Sequence, residues 1–131
     1  MSSEIIVRFT YAGMHRWKDA PDNRAYLRDP HRHLFHVEVS TWVDHDEREI
    51  EFHDLCDAAK ENFADCCLGV LEFERGSPVL ARYLDRSCET MARLLASTLS
   101  KLYSRRFDVS VFEDGEFGAK VSVNDSEQAA A

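Results

Sequence analysis

The sequence has no excess of positive charge. Its 16 Lys+Arg stand against 24 Asp+Glu, for a formal net charge of -8 and a pI near 5.2. That balance supplies no basic footprint for a phosphate backbone or an anionic bilayer, which argues against nucleic-acid and membrane partners. Long apolar runs are missing too. No segment approaches the roughly 20 residues of a membrane span, and the start, "MSSEIIVRF", has neither the basic flank nor the apolar core of a secretory signal. These absences predict a cytoplasmic protein that meets a small molecule or another protein. Cysteine is sparse: Cys56, Cys66, Cys67 and Cys88 show neither the paired spacing of a zinc knuckle nor the density of a disulfide scaffold, so reduced thiols are expected. Internal repeats and low-complexity tracts are also absent.

What remains is a chain of 131 residues, 44% hydrophobic, enough for one compact core. A single domain over residues 1–125 is expected, with a flexible tail at 126–131. Residues 4–12 alternate, Ile5, Val7, Phe9 and Tyr11 against Arg8 and Thr10, as in a half-buried strand. Residues 13–30 read as a long polar loop. A second strand is expected at 31–43, with Phe35, Val37, Val39 and Val43 on one face and Arg32, His36 and Glu38 on the other. The acidic turn "DHDER" follows, then a short strand at 48–52. From 52 to 71 the apolar positions Phe52, Leu55, Ala59, Phe63, Cys66 and Val70 step by three and four, which predicts an amphipathic helix ended by the turn "ERGSP". Ser87 is placed to cap a second helix whose inward stripe is Cys88, Met91, Leu95, Leu99 and Leu102. Two strands close the pattern, one alternating through Phe107, Val109 and Val111, the other "AKVSV" after the turn "EDGEFG".

The unusual stretch is "DPHRHLFHVEV", residues 29–39, which opens an apolar strand face with imidazoles. Side chains two apart on a strand share a face. His31 and His33 therefore stand with Phe35, Val37 and Val39. By the same parity His15 continues the face of Ile5 to Tyr11, and Glu113 that of Phe107, Val109 and Val111. Three imidazoles and a carboxylate are thus expected at one rim of the core. Three histidines with a fourth position open is the donor set of catalytic zinc; the plainer alternative is a set of solvent-facing strand-end residues. His36 lies on the opposite face, His45 in the acidic turn, and His53 at a helix start with no clear role.

Five stretches, in order over roughly residues 3–123, resemble the family of 6-pyruvoyl-tetrahydropterin and 6-carboxytetrahydropterin synthases. "FTYAGMHRW" is similar to the end of that family's first strand, and "HRHLFHVEV" to its H-G-H-N-Y-x-V-x-V strand. "REIEFHDL" is similar to V-x-D-F-x-x-L, "SCETMARLL" to T-x-E-N-L-A, and "VSVFEDGEFGAKV" to the strand ending V-x-E-T. The resemblance implies the tunnelling fold, an α+β architecture ordered ββααββ, with a four-stranded antiparallel sheet and two helices on one face. It also implies closure into a barrel by homo-oligomerisation, as a trimer or hexamer. His15, His31 and His33 would be zinc ligands and Glu113 the anchor of a pterin ring, with Ser87 and Cys88 near the ring. Zinc would be the cofactor and 7,8-dihydroneopterin triphosphate, or a related pterin, the substrate of a lyase-type reaction.

The sequence departs from the family where protons are moved. The loop before the H-x-H pair, "DNRAYLRDPHRH", has no cysteine, and the L-D-H histidine is gone, whether the match is Asp65–Cys66 or Asp85–Arg86. Candidates for the missing acid or base are Cys88, whose thiolate a helix N-terminus would favour, Asp29 near the metal, and Asp65. Each has a plain alternative: an apolar-stripe cysteine, a turn aspartate before proline, a solvated helix face. Glu89 suits a first helical turn without further function. Arg24, Arg28 and Arg32 stand ready for an anionic group or simply for solvent. Other readings are a non-catalytic pterin or purine binder, a zinc enzyme of deazapurine metabolism such as queuosine biosynthesis, and a subunit that only keeps the fold.

Overall fold

The computed structural model describes residues 2–67, 70–74 and 77–125. Strand β1, Ser3–His15, pairs antiparallel with β2, His31–Val43, in a register that sets Val7 against Val39 and His15 against His31. After helix α1, Phe52–Asn62, come β3, Val70–Glu74, and β4, Ser77–Arg82. Helix α2, Cys88–Tyr103, then leads into β5, Phe107–Glu113, and β6, Phe117–Val123. The main sheet has the order β1-β2-β5-β6 with every neighbour antiparallel, and β3–β4 form a separate hairpin.

Alternation decides which face of that sheet is covered. Odd positions Phe35, Val37, Val39, Phe107, Val109 and Val111 are buried against Leu55, Ala59 and Phe63 from the first helical segment and Met91, Leu95 and Leu99 from α2. The opposite face stays open, carrying exposed Ile6, Leu34, Trp42 and Phe112 beside an Arg8–Glu38 ion pair of 2.7 Å. Among the described residues, no helix is long and apolar enough to cross a membrane.

Caps fix where the helices begin. The Glu51 carboxylate accepts from Asp54 N–H at 2.8 Å, and Ser87 Oγ accepts from Thr90 N–H at 3.2 Å, each satisfying a free donor of the first turn. At the far end of α2, Ser104 turns left-handed, φ 55°, and donates to the Ser100 carbonyl.

Several expectations need correction. The segment read as a loop over 13–30 is partly ordered: β1 runs on to His15, and Asp22–Arg28 forms 3-10 turns interrupted at Arg24. No strand forms at 48–52, where Arg48 is left-handed (φ 57°) and Glu51 is already a helix cap. The helix expected to 71 ends at Asn62 and passes into a π-helical turn, Phe63–Cys67. The extra residue in that turn shifts the inward stripe so that Cys67 is buried; the side chains of Cys66 and Val70 lie outside what the structure describes. Leu71 and Phe73 alternate with Glu72 and Glu74, a strand period masked by the apolar spacing upstream, and so the β3–β4 hairpin interrupts the expected ββααββ order. Two stripe ends point outward: Phe52 and Leu102 are exposed, and Tyr103 takes the inward place, its ring 5.6 Å from that of Phe107. The expected tail, 126–131, lies outside the described residues.

Candidate metal centre and adjoining cavity

The β1–β2 register brings three histidines to one end of the sheet. His15 faces His31 directly and His33 diagonally, because Gly13 is the partner of His33. Their rings are 4.6 Å (His15–His31), 5.1 Å (His15–His33) and 4.9 Å (His31–His33) apart, all edge to face. Below them Phe35 supplies an apolar floor, its ring 5.4 Å from His15 and 5.8 Å from His33. One nitrogen from each imidazole lies within 4.8 Å of the others, within reach of a single ion.

The other nitrogen of each ring is committed. His15 Nδ1 is 3.2 Å from the Arg86 carbonyl, His31 Nδ1 is 3.0 Å from the Asp29 carbonyl, and His33 Nδ1 is 2.6 Å from Asp114 Oδ2. A carbonyl or carboxylate oxygen only accepts, so each Nδ1 carries the proton and each Nε2 keeps its lone pair. Orientation of metal-binding imidazoles by such oxygens is the usual support of a histidine metal site. His33 Nε2 is buried with no hydrogen-bond partner, a polar atom whose burial is costly unless something binds it. The donor set fits zinc.

Glu113 enters from β5, where its pairing with Phe35 puts it on the same inward face. Its Oε1 lies 3.1 Å from His15 Nε2 and its Oε2 3.7 Å from His33 Nε2. Burial pushes the His15 imidazole below its ordinary value, against the upward pull of Glu113 and of the Arg86 carbonyl. The ring is therefore held neutral, as a ligand must be.

Asp114 was read in the sequence only as part of a turn. It is left-handed (φ 53°), as is Gly115 (φ 76°), the pair of conformations a tight Asp-Gly hairpin turn uses. From there its N–H donates to the Leu34 carbonyl at 2.8 Å and its Oδ1 accepts from Leu34 N–H at 2.8 Å, while Oδ2 holds His33. The Leu34 N–H and then the His33 ring hold its carboxyl below the usual range. An aspartate directly after the V-x-E stretch, where the related pattern has threonine, was the available signal.

A cavity of about 520 Å³ opens beside the histidines. Its lining includes His15, His31, Ser87, Cys88, Glu89 and Glu113, together with Arg16, Trp17, Leu27, Asp85, Arg86, Phe117 and Gly118. Trp17 and Phe117 are exposed, at 51% and 72%, so two aromatic faces stand free at the mouth. Ser87 spends its hydroxyl on the helix cap. Cys88 Sγ lies 3.7 Å from Glu113 Oε1, and burial, with Glu113 second, pushes its thiol up to about 12. The helix N-terminus does not win there, and the thiol stays protonated at neutral pH. Asp85 is tied to Arg16 by contacts of 2.7 and 3.4 Å, and that pairing holds it below its ordinary value.

The remaining sequence candidates lie elsewhere. Asp29 contributes its backbone carbonyl to His31, and its side chain is not on the cavity wall; Asp65 is exposed on the π-helical turn. Arg24 and Arg28 fold back onto their own loop, at the Asn23 and Ala20 carbonyls and the Asp22 carboxylate, and Arg32 points to the open face. His53 pairs with Glu51 at 2.7 Å.

Among known proteins, the chain matches no family model and no curated protein. Among solved structures it is similar to a 6-pyruvoyl tetrahydropterin synthase from Plasmodium vivax, with a TM-score of 0.55 and 14% sequence identity over 95% of this chain and 99% of that one. At that identity the likeness concerns the fold: the α+β architecture, with its four-stranded antiparallel sheet and helices on one face, is that of the tunnelling fold.

Proposed function

We propose that this tunnelling-fold chain is a zinc-dependent, pterin-binding enzyme of the lyase type, acting on 7,8-dihydroneopterin triphosphate or a related pterin. One observation carries the reading: three imidazoles spend Nδ1 on oxygens that only accept and gather their remaining nitrogens within 4.8 Å. His15, His31 and His33 would hold the ion. A zinc ion held there would supply Lewis-acid polarisation of an oxygen of the ligand's side chain. The residues of the chain supply the rest. The cavity admits a fused bicyclic ring, Trp17 and Phe117 offer apolar faces at its mouth, and Glu89 and the Arg16–Asp85 pair give it polar edges. The similarity of the fold to a 6-pyruvoyl tetrahydropterin synthase from Plasmodium vivax favours a pterin among bicyclic ligands.

Oligomerisation belongs to the same proposal. Strands β1 and β6 are the free edges of the sheet, and free edges invite pairing unless covered. A second reading, a non-catalytic pterin or purine binder, is favoured by a specific observation: Cys88 is held as a thiol and Asp85 is locked to Arg16, so two cavity groups placed for proton transfer are both occupied.

The test begins with zinc per chain, for the wild type and His31→Ala purified without added metal. Near-stoichiometric zinc that falls in the variant supports the metal reading; zinc absent from both, even after reconstitution, refutes it. Incubation of the zinc protein with dihydroneopterin triphosphate then separates the readings. Release of a side-chain product supports the enzyme, and tight binding without turnover supports the binder.

A further inference from the structure

The chain between β1 and β2 closes on itself, and it closes around the tryptophan of the cavity. Trp17 N–H donates to the Leu27 carbonyl at 2.7 Å, and Ala20 N–H donates to the Trp17 carbonyl at 3.1 Å. Arg28 completes the figure, its Nε donating to the Ala20 carbonyl at 2.8 Å and its Nη2 to Asp22 Oδ1 at 2.9 Å. Because Arg28 follows Leu27 directly, these bonds form a closed circuit through Trp17, Ala20, Arg28 and Leu27. Ala20 is the one buried residue at positions 16–30, 3% exposed, and it lies outside the main hydrophobic core. The segment from Trp17 to Leu27 thus has the compact form of an Ω-loop, with its ends together. Next to it, Arg16 N–H donates to the Leu84 carbonyl at 2.6 Å and moors the loop to the chain that leads into α2.

Two residues of this circuit, Trp17 and Leu27, line the cavity beside the histidines, whereas Arg28 does not. An indole gives a large flat contact with few torsions to order, provided that its backbone is already fixed. Here Trp17 is held at both its N–H and its carbonyl, so the direction of its side chain is set before any ligand arrives. Arginine suits the closing position because its planar fork holds two acceptors at once, which a lysine ammonium does not reproduce. We infer that Arg28 is a positioning residue for ligand binding: its guanidinium closes the loop that presets Trp17 as a flat wall on which the planar ring of the ligand stacks. This rests on the reading of the cavity as a pterin site. It also replaces the anion-binding role open to Arg28 in the sequence, since its guanidinium is engaged by the loop itself.

Fluorescence titration of the full chain with 7,8-dihydroneopterin tests this, in a Trp42→Phe background that leaves Trp17 as the only indole. That parent protein is expected to bind with quenching of Trp17. Arg28→Ala is expected to raise Kd roughly tenfold, because the ligand must then order a side chain that was ordered beforehand. Its zinc content should be unchanged, and in the ligand-free protein its Trp17 emission should lose anisotropy. Arg28→Lys, which reaches one acceptor but not both, should fall between. Since Arg28 acts through Trp17, the two substitutions should not add: in a Trp17→Ala background, followed by ligand fluorescence, Arg28→Ala should weaken binding by less than about twofold further. A full loss that persists in that background marks a general loosening of the fold and overturns the inference, as does an Arg28→Ala protein that binds like its parent. Both results leave the pterin reading standing. No binding by the parent, with or without added zinc, refutes that reading and this inference with it.

Discussion

Replacing Asp114 isolates the support of one proposed metal ligand from the rest of the fold. Its carboxylate accepts from two donors at once, His33 Nδ1–H at 2.6 Å and Leu34 N–H at 2.8 Å. An amide has one acceptor where this turn presents two donors, so Asp114→Asn satisfies only one of them and also removes the charge that strengthens the histidine as a donor to metal. The left-handed backbone at Asp114 (φ 53°) suits asparagine, so the turn itself is kept. Losing an outer oxygen of this kind typically costs 10–100-fold, roughly, in metal affinity. The Asp114 side chain is half exposed, 50%, and water replaces part of what is lost, which puts Asp114→Asn near the lower bound, about tenfold. Asp114→Ala removes both acceptors and should fall further into the range. The assay is competition for zinc against a chelator of known affinity, alongside thermal melts of the metal-free proteins. An Asp114→Ala protein that folds and binds zinc within about twofold of the wild type would falsify the argument that this contact orients His33.

Three further outcomes follow from other parts of the molecule. A Cβ added at Gly118 would lie 2.2 Å from the Val111 carbonyl and 2.5 Å from the Phe112 ring; the carbonyl belongs to a central strand and cannot move aside, so Gly118→Ala should cost about 1–3 kcal/mol, and an unchanged urea midpoint would refute it. Imidazoles ligate only when neutral, so zinc affinity should fall on acidification. For the metal-free chain the direction is set by His15: burial holds it below its ordinary value, the unfolded chain takes that proton first, and stability should decline as pH falls below about 6.5. His53, raised by its hydrogen bond to Glu51, carries the opposite sign, so those melts belong in a His53→Ala background; stability that rises on acidification there contradicts the burial argument. Cys88, with its thiol pushed up to about 12, should alkylate at pH about 8 roughly a hundredfold or more slowly than in the urea-unfolded chain; peptide mapping that finds equal rates would show that the thiol is not buried as described.

How much of this was legible depended on which signals are local. Strand β2 was readable to the residue, because Phe35, Val37, Val39 and Val43 keep one face and both ends are marked by polar turns. The histidine rim followed from the same period-two argument, and Ser87 from its capping chemistry. The β3–β4 hairpin was hidden because Phe63, Cys66 and Val70 continue a helical spacing into a segment whose own period is two. Asp114 was missed for a different reason. Its role is made by Leu34 and His33, 80 and 81 residues away, and no spacing along the chain states that a turn aspartate will meet them.

The departures from the synthase pattern that the sequence resembles fall in one place, and the structure gives them a common sense. The histidine end of the candidate site is supported at every ring, by Arg86, Asp29 and Asp114 on the three Nδ1 atoms. The proton-transfer end is not. Where a cysteine would precede the H-x-H pair, the chain folds Arg24 and Arg28 back onto its own backbone and sets Trp17 and Leu27 in the cavity lining, with Trp17 N–H donating to the Leu27 carbonyl at 2.7 Å. At the second L-D-H match, arginine replaces histidine, its carbonyl serves His15, and the aspartate before it is locked by Arg16. Residues at the positions the resemblance assigns to acid–base work serve here as scaffolding for the histidines and the loop. On the proposed reading, a proton moved at this site would pass through groups on the ligand or through Glu113, the carboxylate that, among the described residues, touches the histidine cluster at Nε2.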